Sequence, residues 1–206
     1  MSSGRAAKIS RLTLLGFILI AASLTILFGI YWPLIQTELG YDFKQVAPSV
    51  TSQRPITPVD RQYGIVIPKI GANAHVIPNV DPFNSTVYET ALTKGVAQAK
   101  GTANPGTPGN IFLFAHSSEN FYYALRYNSV FYLLTKLQTG DMIFLYYKNN
   151  RYIYRVDKKT LVKPDAVSYI TGAGTGETLT LMTCWPPGTD YERLLVTARR
   201  DTESFP

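Results

Sequence analysis

The sequence predicts a small, mostly antiparallel β-barrel or sandwich carried behind one N-terminal membrane-spanning helix. Three observations point there. An uncharged apolar run fills residues 12–37, a proline-containing polar stretch follows it, and from Gln62 onward short β-like runs alternate with Pro, Gly and Asn. At 206 residues the chain has room for one domain plus appendages. Its 14 Tyr and 10 Phe suit a β-rich core.

Taken in order, Arg5, Lys8 and Arg11 precede 26 uncharged residues, Leu12 to Thr37. About 20 apolar residues cross a bilayer core as a helix. Residues 12–35 therefore read as a transmembrane helix, with Tyr31 and Trp32 where an interfacial aromatic belt would lie. The bases on its N-terminal side put residues 1–11 in the cytoplasm and the remainder of the chain outside. A cleaved signal peptide is the rival reading. Ala21-Ala22-Ser23 offers small residues for cleavage, but the apolar run continues through Ile30, past that point. Residues 36–61 read as an extracytoplasmic stalk. Between Tyr41 and Asp60, Pro48, Pro55 and Pro58 lie among Ser, Thr, Gln and Val, the composition of an extended spacer.

Residues 62–206 form the folded domain. Its candidate strands are Tyr63–Ile67, Ala74–Ile77, Asn110–His116, Met142–Lys148, Arg151–Val156, Thr178–Cys184 and Arg193–Arg199. Asn149-Asn150, between Lys148 and Arg151, suits a two-residue type I′ hairpin turn. Ser85 to Lys94 reads as a helix with Val87, Ala91 and Leu92 inward and Gly95 as its C-cap. Leu133–Leu137 suits a short helical turn before Gly140. Gly172, Gly174 and Gly176 make a flexible approach to the cysteine strand. They are not a dinucleotide fingerprint, because no βαβ unit surrounds them.

Charge excludes one broad class of function. Half of the formal +6 sits in the first 11 residues, and the remaining 17 basic residues form no run longer than a pair such as Lys158-Lys159 or Arg199-Arg200. That is no footprint for nucleic acid.

Cys184 is the only cysteine, so an internal disulfide is excluded and the residue is either an inert small hydrophobe or a nucleophile. It ends one strand-like run, and Arg193 begins the next after an eight-residue gap. On neighbouring antiparallel strands, roughly 4.8 Å apart, the thiol and guanidinium would lie side by side at the open end of a hairpin. His116 closes the apolar run that begins at Asn110, which sets an imidazole at a sheet mouth. A thiol of ordinary pKa, about 8.5, needs a base nearby to become a thiolate at neutral pH, and His116 is the candidate. His75 has nothing to distinguish it and reads as a surface or edge residue. One Cys and two separated His lack the paired spacing of a zinc site.

Thr180-Leu-Met-Thr-Cys184 matches the T-L-x-T-C signature of the sortases, membrane-anchored cysteine transpeptidases of bacterial surfaces. Further segments resemble the same family. Ile67-Pro-Lys-Ile-Gly71 with Asn73-Ala74 is similar to its first barrel strand. Gly95-Val-Ala97 through Gly101-Thr102, then Pro108-Gly109-Asn110 leading to His116, resembles the segment that ends at the catalytic histidine. Leu137 with Gly140-Asp141 is similar to a turn before a central strand, and Arg193-Leu-Leu-Val196 to the arginine strand. The likeness spans about Tyr63 to Arg199, two thirds of the chain, and the anchor and stalk agree with it.

The resemblance implies a closed eight-stranded sortase-type β-barrel with one or two short helices. It implies Cys184 as nucleophile, His116 as proton donor and acceptor, and Arg193 as oxyanion or substrate stabiliser. The substrate would be the sorting-motif peptide of a secreted protein, and the acyl group would pass through a thioester to an amine of the cell envelope or of a pilin-like protein. No cofactor or metal is required. A plain cysteine endopeptidase and a catalytically silent binding module are the alternatives. Departures from the family pattern are Ala115 before the histidine, Ser117-Ser118 after it, and the loop Trp185-Pro-Pro-Gly188. Asp81-Pro-Phe83 resembles a lid motif of pilin-type relatives, but it follows the first strands and reads as a turn.

Overall fold

The computed structural model describes residues 11–46, 56–116, 130–165, 167–171, 176–187 and 189–202. Residues 1–10 of the expected cytoplasmic segment, much of the stalk, Ser117-Ser118, Gly172, Gly174 and Gly188 lie outside the described residues. The chain divides into two compact units, Met1–Thr51 and Ser52–Pro206.

In the first unit, helix α1 runs from Arg11 to Val46. Its window Leu12–Gly29 has a mean hydropathy of 2.4 and is long and apolar enough to cross a membrane. The apolar side chains point outward all round, as in Phe17, Leu19, Ile20 and Leu24. The polar exceptions are turned back on the helix: the Ser23 hydroxyl donates to the Ile20 carbonyl and that of Thr25 to Ala21. The helix continues beyond Tyr41, so the first part of the segment expected to be extended is helical.

The second unit is a closed eight-stranded barrel. Its strands are β1 Tyr63–Ile67, β2 Ala72–Val80, β3 Val96–Ala99, β4 Gly109–Phe114, β5 Met142–Tyr147, β6 Asn150–Val162, β7 Glu177–Trp185 and β8 Glu192–Arg200. The order around the barrel is β1-β2-β3-β4-β7-β8-β6-β5. Neighbours are antiparallel except β2 with β3 and β4 with β7, which run parallel. Ile65, Ile67, Ile111, Leu113, Ile143, Leu145, Leu179, Leu181 and Val196 are completely buried, the alternate positions that fill a small barrel.

Several local expectations shift. The β5–β6 hairpin has a type I′ turn, but Tyr147 pairs with Asn150, so its centre is Lys148-Asn149, both at positive φ, one residue earlier than expected. Helix α2, Ser85–Leu92, starts at Asn84, whose side chain accepts from the Val87 amide. Ala91 and Leu92 are buried but Val87 is exposed; Tyr88, not Val87, packs inward, edge-on to Phe114 with ring centroids 6.4 Å apart. The C-cap is Thr93 rather than Gly95. Gly95 serves another need, since a Cβ there would collide with the His75 carbonyl on β2. Gly71, at φ 66°, closes the 3-10 turn Pro68–Ile70 that joins β1 to β2.

At the end of β7 remote from Cys184, Glu177 accepts from the buried Tyr154 hydroxyl and from the Gly106 amide. Arg200 lies 3.6 Å from the same carboxylate and over the Tyr152 ring. Burial, followed by the Glu177 carboxylate, pushes the Tyr154 phenol well above its usual range, so it stays a donor.

The segment entering the barrel is clasped by β2. Asn73 accepts from the Val59 amide and donates to the Thr57 carbonyl, and His75 Nδ1 lies 3.0 Å from Asp60. His75 thus has the surface position expected of it. Its hydrogen bond, aided by the Gln62 and Tyr63 amides, holds the Asp60 carboxyl below its usual 3.8. A depressed acid stabilises the fold above its unfolded pKa and loses that contribution as pH falls through its folded value. The melting-temperature advantage of wild type over Asp60→Asn is therefore expected to shrink as pH drops below about 3.8. A difference unchanged through that range would remove Asp60 as the acid-sensitive group.

Candidate active site

Two features of the topology bring Cys184, His116 and Arg193 to one edge of the barrel. On the antiparallel β7–β8 pair, Cys184 is directly opposite Arg193. On the parallel β4–β7 pair, Phe114 is level with Met182. Continuing that register by two residues brings His116 level with Cys184. Because parallel strands end at the same edge, the histidine and the cysteine emerge together where β8 begins.

The twofold repeat of a strand then sorts the side chains. Ile111 and Leu113 of β4, with Leu179 and Leu181 of β7, are buried in the barrel. Phe112, Phe114, His116, Met182, Cys184, Arg193 and Leu195 line a cleft of about 230 Å3. Its walls are mostly apolar. Tyr88 and Leu92 of α2 form one side, and Val162 at the end of β6, with Pro164, Val167, Tyr169 and Ile170 between β6 and β7, forms the other. Pro82 and Phe83 complete the rim. The turn read at Asp81-Pro-Phe83 is present, closed by the Phe83 amide donating to the Asp81 side chain, and it leaves the Phe83 ring largely exposed.

The threonines of the cysteine strand have distinct structural tasks. Buried Thr183 donates its hydroxyl to the Ala115 carbonyl at 3.0 Å, and the Ala115 amide donates to Met182, which ties the residue before the histidine to the residue before the cysteine. Thr180 and Thr178 both donate to the Asn110 side-chain oxygen, at 2.9 and 3.2 Å. The Asn110 amide donates in turn to the carbonyls of Tyr169 and Ile170 in the short helix Ser168–Thr171. One buried asparagine thus joins the cysteine strand to the cleft wall.

Around the three residues, His116 Nε2 lies 3.1 Å from a Glu89 carboxylate oxygen of α2. Arg193 donates through Nη1 to the carbonyls of Asp190 and Glu192 at 3.1 Å, which anchors its guanidinium to the loop it follows. Cys184 is half-buried in the cleft wall. Glu89 was not singled out from sequence. It is an ordinary acid in the middle of a helix, 27 residues from its partner, and its spacing carries no signal.

A sequence model described as the sortase domain matches residues 65–201. The chain belongs to the sortase family. Members are known as cysteine transpeptidases, and the closed barrel agrees with the fold that the likeness implied. The chain is 28% identical over 139 residues to Sortase D of Bacillus subtilis, a match that covers 66% of this chain and 62% of that protein. It thus spans less than two thirds of that relative's length. Among solved structures, sortase C-1 of Actinomyces oris is 28% identical with a TM-score of 0.58, covering 69% of this chain and 75% of that one. Sortase C1 of Streptococcus suis is 26% identical, again with a TM-score of 0.58, covering 70% and 75%.

Proposed function

We propose that this protein is a membrane-anchored cysteine transpeptidase that cleaves a sorting-motif peptide of secreted proteins and passes the acyl group to an amine. The observation that carries this reading is the strand register, with Cys184 opposite Arg193 and His116 level with Cys184 at one cleft.

The Cys184 thiol gives its proton to His116 as sulfur attacks the peptide carbonyl. Arg193 faces the developing oxyanion or clamps the peptide backbone. Two carbonyls occupy only its Nη1, and its other N–H groups have no partner among the described residues. When the C–N bond breaks, the leaving amine takes the proton from His116 and a thioester remains on Cys184. An incoming amine then attacks the thioester and gives a proton to His116. The C–S bond breaks and the thiol is restored. The apolar walls accept the side chains flanking the scissile bond and limit water there.

The apolar span of α1, with Arg5, Lys8 and Arg11 before it, supports an N-terminus in the cytoplasm and a catalytic domain outside. The acceptor is then an amine of the cell envelope or of a pilin-like protein.

Product analysis tests transfer against hydrolysis. With a panel of sorting-type peptides, raising the concentration of an added amine is expected to convert free-acid product into amide. Free acid alone, at every amine concentration, would make the protein a peptidase.

A further inference from the structure

We propose that Glu89 is a positioning residue for the reaction, fixing which nitrogen of His116 handles the proton; this rests on the catalytic reading of His116 given above. A carboxylate can only accept, so its 3.1 Å contact with Nε2 requires the proton to be on Nε2. The nitrogen left to take the thiol proton, and to deliver it to the leaving amine, is Nδ1. Losing this acceptor weakens the preference for the Nε2–H tautomer, and the other tautomer presents a protonated Nδ1 to the thiol.

The placement of Glu89 is built into the fold. It lies on α2, whose first turn is capped by Asn84 and whose last turn buries Ala91 and Leu92. The preceding residue, Tyr88, packs edge-on against Phe114, two residues before His116. The carboxylate and the imidazole therefore sit on two elements fixed against each other.

The charges around the ring give Glu89 a second effect. From β7 the ring shares the cleft with Cys184, from β8 with Arg193, and from the segments after β6 with Lys163 and Tyr169, while α2 adds Tyr88. Lys163 and Arg193 are cations, and the described residues lining the cleft include no acid. Glu89, in contact with the ring from outside that lining, offsets this positive field whenever His116 carries the second proton. In both charge states Nε2–H stays on Glu89 and only Nδ1 exchanges.

The chain has two histidines, which supplies an internal reference. His75 contacts Asp60 through Nδ1, the opposite nitrogen. Nitrogen-15 spectra of the histidine-labelled full chain in detergent, taken where both rings are neutral, are expected to find Nε2–H on His116 and Nδ1–H on His75. In Glu89→Ala the His116 preference is expected to disappear while that of His75 persists. In the same variant kcat should fall on the order of tenfold or more, with KM changed less than about twofold. Glu89→Gln, which keeps an acceptor oxygen, should recover most of the loss. An Nδ1–H tautomer on wild-type His116, or an unchanged kcat in Glu89→Ala, would overturn the proposal. Wild-type protein that forms acyl-enzyme while Glu89→Ala acylates equally fast would sink only this inference. Wild-type protein that never acylates would sink the catalytic reading beneath it.

Discussion

Cys184→Ala is expected to abolish peptide turnover, lowering the rate by on the order of 10^4-fold or more, while leaving the barrel folded. The size follows from the absence of any substitute: Cys184 is the only thiol in the chain, and the proposed reaction uses a nucleophile at this position, opposite Arg193. Its side chain is only half-buried at the end of β7, so removal of one sulfur should cost less than about 1 kcal/mol of stability. Peptide turnover and thermal unfolding, measured on the same preparation, separate the two effects. Turnover that survived in a folded Cys184→Ala protein would transfer the nucleophilic role to another group.

Asn110→Ala is expected to have the largest effect on the scaffold. Asn110 is 5% exposed, and its side chain joins Thr178 and Thr180 of β7 to the carbonyls of Tyr169 and Ile170. Truncation leaves a buried threonine hydroxyl without its acceptor and two carbonyls without their donor. An unmet buried polar group costs about 1–3 kcal/mol, and the combined loss should be about 2–4 kcal/mol. For a domain of this size that lowers Tm by roughly 5–15 °C. Because Tyr169 and Ile170 also line the cleft, KM for peptide should rise more than kcat falls. A Tm within about 2 °C of wild type would mean that the asparagine network contributes little.

Much of the barrel was legible because strand alternation is a local property. The cysteine and arginine strands are each within two residues of their expected bounds, and β1 matches at both ends. β3 was missed because Val96-Ala-Gln-Ala99 is four residues long and buried throughout, so it shows no alternation. Its Gln98 is polar, yet it is buried with its amide donating to the Ala103 carbonyl. The far half of β6 was hidden by Asp157-Lys158-Lys159. There a register shift breaks the pattern while the strand continues to Val162. Helical spacing alone puts Val87 inward, but the neighbouring Tyr88 takes that place because Phe114 lies beneath it.

The candidate site divides in the same way. Cys184, His116 and Arg193 stood out through rare residue types at strand ends and a matching signature. The tasks of Thr183, Asn110 and Glu89 were not legible, because each depends on a contact across the barrel. Thr183 meets Ala115 only through the parallel β4–β7 pairing, and Glu89 meets His116 only because α2 rests on β4.

The most direct measurement is intact mass spectrometry of the full chain in detergent, quenched in acid during turnover of a sorting-type peptide. The expected result is a mass increase equal to the acyl fragment, mapped by digestion to Cys184 and discharged as amide when an amine is supplied. Turnover without any adduct on Cys184, or an adduct mapped to another residue, would contradict the proposed chemistry.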